Sequence, residues 1–194
     1  MKPDCRPSPE WNFYLIKTGL NIVKLVVTEP VNAGKTTLIR SLGDVLVICT
    51  NEMATDKVGA LKEHTTVAMD HGICYPAEGL ALHLYGTPGQ RRFDFMWEIL
   101  AVGASAVLFL VDGSDEQSQQ ELKYIYNHFG ERTDLPALVA VTRQDIAGSM
   151  QPAEVATMLG ISVEHVVSMD PRHSASSKAL LLSRFTAAGA ISRS

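Results

Sequence analysis

A chain of 194 residues, 46% hydrophobic and 20% charged, has the size and composition of one globular domain and is too apolar for a disordered protein. The formal net charge is −4, with lysines and arginines scattered along the sequence. No broad basic face is left to neutralise a phosphate backbone, so no nucleic-acid partner is expected. No apolar run approaches the ~18 residues of a membrane-spanning helix.

Cys5, Cys49 and Cys74 are odd in number, far apart and without a C-x-x-C pair, which fits small thiols in a reducing compartment. Residues 1–11 carry three prolines but no apolar secretory core. Lys2 stands where myristoylation requires glycine, and the closing Ile-Ser-Arg-Ser is no prenylation box. The expectation is a cytoplasmic protein without a membrane anchor of its own.

In chain order, residues 20–27 (LNIVKLVV) form a short β-branched run of strand length. A helix is predicted over 36–42, closed by Gly43. Residues 45–65 are irregular and polar after a brief apolar run, which predicts a long loop. Runs 67–75 and 80–85, split by Pro-Ala-Glu-Gly, read as an antiparallel hairpin. Then come a buried strand at 106–111, a helix at 116–129 with Leu122, Ile125, Tyr126 and Phe129 on one face, and a strand at 137–141. A short helix at 152–159, a brief strand at 165–167 and a last helix at 176–188 follow. This alternation predicts an α/β domain: a mostly parallel six-stranded sheet, helices on both faces and sites at the carboxyl ends of the strands.

Between the first strand and its helix lies E-P-V-N-A-G-K-T, residues 29–36. It meets the phosphate-loop pattern G-x-x-x-x-G-K-[ST] at all but its first position. The chemistry assigns the backbone amides of Asn32, Ala33, Gly34, Lys35, Thr36 and Thr37 to the β-phosphate, the Lys35 ammonium to the β and γ oxygens, and the Thr36 hydroxyl to Mg²⁺. Glu29 replaces the opening glycine. An inward carboxylate would repel a polyphosphate by roughly 4 kcal/mol at 4 Å and an effective dielectric of about 20. The expectation is that it turns outward.

Three further segments carry a resemblance. Residues 84–93 (LYGTPGQRRF) resemble the switch II segment of Ras-like small GTPases, 64–70 (HTTVAMD) the end of switch I, and 141–145 (VTRQD) the guanine-reading Asn-Lys-x-Asp. Order and spacing match over 20–188, so the resemblance implies a P-loop NTPase G domain there, with 1–19 an N-terminal extension and 189–194 a short tail. More narrowly, TTVAMD with YGTPGQ and FMWEIL is similar to bacterial small GTPases encoded beside roadblock-type proteins and sensor kinases.

The resemblance implies GTP and GDP as ligands, with Mg²⁺. Thr66 would give its hydroxyl to Mg²⁺ and its amide to the γ-phosphate, Thr65 being the competing choice. Gly89 would donate its amide to the γ-phosphate, and Gln90 would orient the attacking water, making Gln90 and Lys35 the catalytic candidates. Asp145 would accept from guanine N1 and N2. Thr142 stands for the family's asparagine, Arg143 for its lysine, and Asp170-Pro171 near the place of its Ser-Ala-Lys loop. Gly86 replaces the aspartate that most Ras-like proteins hold near Mg²⁺, and Val31 is bulkier than the usual glycine. Looser Mg²⁺ and slow hydrolysis are expected, near or below ~10⁻⁴ to 10⁻³ s⁻¹.

The implied role is a molecular switch, with a roadblock-type protein and a GTPase-activating or exchange factor as partners. Residues 91–97 (RRFDFMW) read either as a partner surface or as a helix covering the sheet through Phe93, Trp97 and Leu100. The histidines form no ligand cluster, and Asp112 and Asp115 read as caps of the following helix. Two rival functions stand beside the switch. One is a degenerate, non-hydrolysing G domain acting as a binding scaffold. The other is an ATP-dependent enzyme with Asp112 as its Walker B carboxylate.

Overall fold

The computed structural model describes residues 20–49, 69–89 and 93–191. Its elements are β1 (Asn21–Thr28), α1 (Lys35–Leu42), β2 (Val45–Cys49), β3 (Asp70–Ala77), β4 (Leu80–Gly86), α2 (Asp94–Ala101) and β5 (Ala106–Asp112). After these come α3 (Glu116–Gly130), β6 (Ala137–Thr142), α4 (Pro152–Leu159), a 3₁₀ turn at Val163–His165, β7 (Val166–Ser168) and α5 (Ser174–Ala187).

The strands form one sheet in the order β2-β3-β4-β1-β5-β6-β7. Strands β4, β1, β5, β6 and β7 run parallel, and β3 pairs antiparallel with both β4 and β2. Successive strand side chains point to opposite faces, and the sequence fills both. From β1 and β5, Val23, Leu25, Val27, Leu108 and Leu110 face a core closed by Leu38, Ile39 and Leu42 of α1 and Leu181 and Phe185 of α5. Val26, Val107, Phe109 and Val111 face the other core, with Trp97 and Leu100 of α2, Leu122, Ile125 and Phe129 of α3, and Val155 of α4. Being covered on both faces explains why β5 is apolar at every position before its terminal aspartate.

Local chemistry sets the helix ends. Asp115 caps α3 by accepting a 3.1 Å bond from the Gln117 amide, as expected. In α4, Pro152 opens the first turn behind a Gln151/Glu154 capping box, and Gly160 closes it at φ 70°.

All six expected strands are present, and the sheet gains a seventh. Residues 45–49, expected to begin a long loop, instead pair with β3 as an antiparallel edge strand. The run is short and its neighbour in the sheet follows only at residue 70, so local pattern alone did not disclose the pairing. Residues 50–65 of the expected loop lie outside the described residues.

The β3–β4 hairpin matters most for the site. Because β3 runs antiparallel, it begins where β4 ends, and Asp70 pairs directly with Gly86. That places the first side chain of β3 at the carboxyl edge of the parallel strands, beside the turn that leads from β1 to α1.

Candidate functional site

The turn between β1 and α1 holds Asn32 at φ 69° and Gly34 at φ 115°, both left-handed. Such a turn aims successive N–H groups into one concavity at the start of a helix. A side chain at Gly34 would also strain the backbone, its Cβ lying 3.0 Å from the Pro171 ring.

The Glu29 side chain is inside this concavity, which corrects the expectation that it turns outward. Its Oε2 accepts a 2.7 Å hydrogen bond from the Lys35 amide, and its Oε1 lies 3.9 Å from the Lys35 ammonium. The residue is only 8% exposed. Burial pushes its carboxyl above the usual range, against the Lys35 charge and the amides of Lys35 and Gly34, while the Asp70 carboxylate adds to the rise. Buried amides demand an acceptor, and Glu29 supplies one where a phosphate oxygen is expected to sit. Replacing glycine by Glu29 carries no left-handed backbone cost, since Glu29 is not among the residues at positive φ.

Asp70 is the functional residue that the sequence reading missed. Its Oδ2 accepts from the Lys35 ammonium at 2.7 Å and from the Thr36 hydroxyl at 2.6 Å. Burial alone would raise its carboxyl; the hydrogen bonds from Lys35 and Thr36 and the charges of Lys35 and Arg40 outweigh that and hold it below the usual range. With its proton directed at Asp70, the Thr36 oxygen keeps its lone pairs for a cation. A hydroxyl backed by a carboxylate is a hard oxygen donor set of the kind Mg²⁺ takes.

Gly86 was expected to leave this corner without a carboxylate. Instead, Asp70 supplies it from the adjacent strand and Gly86 makes the room. A Cβ at position 86 would lie 2.9 Å from Ile39 Cδ1, 3.0 Å from Lys35 Cδ and 3.1 Å from Asp70 Cβ. The signal available in the sequence was an aspartate opening a strand whose partner ends in an unexpected glycine.

Gly89 lies against the same turn: a Cβ there would come 3.1 Å from the Glu29 carbonyl oxygen and 3.6 Å from the Val31 nitrogen. The approach to it is pinned by the Thr87 amide, which donates to Val27 O at 2.9 Å, and by the buried Trp97, whose Nε1 donates to Pro88 O at 3.0 Å. Trp97 and Leu100 are buried while Phe95 and Ile99 are exposed, so α2 both covers the sheet and presents apolar side chains. Thr65, Thr66, Gln90, Arg91 and Arg92 lie outside the described residues.

A cleft of about 260 Å³ opens from the turn, lined by Ala33, Gly34 and Thr37 on one side and by Thr142, Arg143, Asp145 and Pro171 on the other. Here the structure gathers the residues expected from three separate segments. Thr142, 1% exposed, donates to Ala33 O (2.9 Å) or Val111 O (3.1 Å), tying the turn to the end of β6. Arg143, at φ 56°, pairs through Nε with Asp112 Oδ2 at 2.7 Å. Asp112 also accepts from the Ser114 amide and hydroxyl at 2.8 and 2.6 Å, so it orders the loop before α3 and anchors Arg143. Asp145 is exposed at the far end, 3.2 Å from Arg172, which also binds Asp170 at 2.7 Å.

A protein-family model described as "conserved hypothetical ATP binding protein" matches residues 46–186. The chain is 29% identical to an uncharacterized protein of Methanocaldococcus jannaschii, over 69% of this chain and 77% of that one. It is 24% identical to ADP-ribosylation factor-like protein 6 of Caenorhabditis briggsae, over 77% and 75%. Among solved structures, the G domain of the T. maritima FeoB iron transporter superposes with a TM-score of 0.60 at 19% identity, covering 87% of this chain and 99% of that one. That likeness establishes the fold, a P-loop G domain with a mostly parallel sheet and flanking helices. No helix among the described residues is long and apolar enough to cross a membrane.

Proposed function

The chain belongs to the family described as conserved hypothetical ATP binding protein, and from that premise we propose that it is a small nucleotide-binding switch selective for guanine. The observation that carries this is a continuous cleft joining the phosphate turn at Gly34 and Thr37 to the carboxylate of Asp145. A carboxylate accepts from the N1–H and N2–H of guanine, whereas adenine has no hydrogen on N1 to offer. The similarity to ADP-ribosylation factor-like proteins points the same way. The family's description names ATP, and Asp145 is the reason to read guanine here.

In this reading the amides of Asn32 to Thr37 receive the β-phosphate and Lys35 reaches the β and γ oxygens. Thr36, oriented by Asp70, and Thr66 would hold Mg²⁺, which when bound would supply positive charge to the phosphates. Gly89 donates its amide to the γ-phosphate and Gln90 orients the hydrolytic water. No basic catalyst is required, because positioning and charge stabilisation dominate phosphoryl transfer. Hydrolysis is slow without help, and a GTPase-activating or exchange factor would set the state. The exposed Phe95 and Ile99 beside the Gly89 segment suit a partner such as a roadblock-type protein, since apolar side chains there would follow changes in that segment.

One observation favours a second reading. With Glu29 occupying the amides of Lys35 and Gly34, the domain could remain empty and serve as a binding scaffold. Titration of fluorescent GDP, GTP, ADP and ATP, with and without Mg²⁺, separates the readings. Guanine-selective, Mg²⁺-sensitive binding supports the switch; absence of binding supports the scaffold; preference for adenine overturns the assignment of Asp145.

A further inference from the structure

Guanine presents three groups on the edge that distinguishes it: the N1–H and N2–H donors and the O6 acceptor. Asp145 meets the donors only. An O6 buried without a donor would forfeit a hydrogen bond and its solvation, so the cleft needs a donor beside Asp145.

Several nearby donors are committed elsewhere. Pro171 has no N–H. The Arg172 amide donates to Asp170 Oδ1 at 3.0 Å. The Thr142 hydroxyl points at the Ala33 and Val111 carbonyl oxygens, and Arg143 Nε is paired with Asp112.

The Arg172 guanidinium is in place for the task. Its Nε and Nη2 bind Asp170 at 2.8 and 2.7 Å, and Nη2 also reaches Asp145 Oδ2 at 3.2 Å. Guanidinium carries five N–H donors, and the two on Nη1 have no partner among the described residues. Asp170 acts as a clamp, its own carboxyl held down at about 2 chiefly by the hydrogen bond from Arg172.

Resting on the guanine reading above, we propose that Arg172 is a specificity-determining residue whose guanidinium, steadied by Asp170, donates to O6 of the base that Asp145 binds. Adenine then fails twice. Its N6 amino group faces Arg172 donor to donor, and its unprotonated N1 faces Asp145 acceptor to acceptor. A site built for a hydrogen bond discriminates strongly against an analogue that cannot make it.

The test is equilibrium binding of GDP, IDP and ADP, in the presence of Mg²⁺, to the wild type, R172Q and R172K. IDP keeps O6 and N1–H but lacks the N2 amino group. R172Q is expected to weaken GDP and IDP equally, by about tenfold or more, and to leave ADP unweakened or tighter, with R172K restoring part of the guanine loss through its charged donor. An R172Q protein that keeps the wild-type ratio of GDP to ADP affinity overturns the inference. So does an equal loss for all three nucleotides, which would mark Arg172 as a loop brace. A wild type that binds no nucleotide, or prefers ADP, overturns the guanine reading and this inference together, and is told apart from the other failures by the wild-type data alone.

Discussion

Asp70 and Thr36 are joined by a 2.6 Å hydrogen bond although they stand on different elements, one opening β3 and the other in the first turn of α1. The bond fixes which way the Thr36 hydroxyl faces, and so which way its lone pairs face. Residues that orient a metal ligand in this manner are worth 10–100-fold in metal affinity. D70N is therefore expected to raise the Mg²⁺ concentration needed for tight nucleotide binding by about tenfold or more, read from Mg²⁺ titration of nucleotide release. Unchanged Mg²⁺ dependence would show that Asp70 only neutralises Lys35.

Glu29 predicts a pH dependence with a definite sign. Its carboxyl titrates above the usual range because it is buried. A nucleotide that takes the Lys35 and Gly34 amides would remove the hydrogen bonds that hold it down while setting phosphate charge beside it, raising it further. Binding then takes up a proton, so affinity for GDP should increase as the pH falls from 7 toward about 5. The same scan on E29A subtracts the titration of the phosphate itself. Parallel pH profiles for the two proteins would exclude Glu29 as the titrating group.

Thr142 braces the phosphate turn from β6. T142V keeps the volume but removes the donor to Ala33 O and Val111 O, leaving buried carbonyl oxygens without it at about 1–3 kcal/mol. Thermal unfolding should show a lower midpoint, and nucleotide affinity should fall along with it. Retained affinity in a destabilised protein would mean that the turn holds its shape unaided.

Trp97 links core and site through one side chain. W97A removes a fully buried indole and should cost about 3–5 kcal/mol in denaturant unfolding. W97F keeps most of the packing, loses the bond to Pro88 O and should cost about 1 kcal/mol. Equal losses for the two variants would contradict the separation of packing from anchoring.

Much of this was legible in the chain itself. The β-branched run into Gly34-Lys35-Thr36, the alternation of apolar strands with amphipathic helices, and Asp145 after an apolar strand each carry a local signal, and the structure brings them to one cleft. What stayed hidden depends on pairing. Asp70 acquires its role only because antiparallel register sets it opposite Gly86, and no local pattern encodes register between strands. Strand β2 was missed for the same reason. The direction of Glu29 was a competition between the desolvation of a carboxylate and the demand of buried amides for an acceptor. Repulsion of a bound polyphosphate, the ground for expecting an outward carboxylate, enters neither side of that competition.

The same competition supplies the sharpest test. Calorimetric titration of GDP with Mg²⁺ into the wild type and E29A, side by side, asks whether nucleotide and carboxylate contend for the same amides. Relief of a repulsion bounded by about 4 kcal/mol at an effective dielectric of about 20 should tighten binding at least tenfold in E29A, with one site per chain in both proteins. Absence of heat in both, or equal affinity in both, would contradict the account.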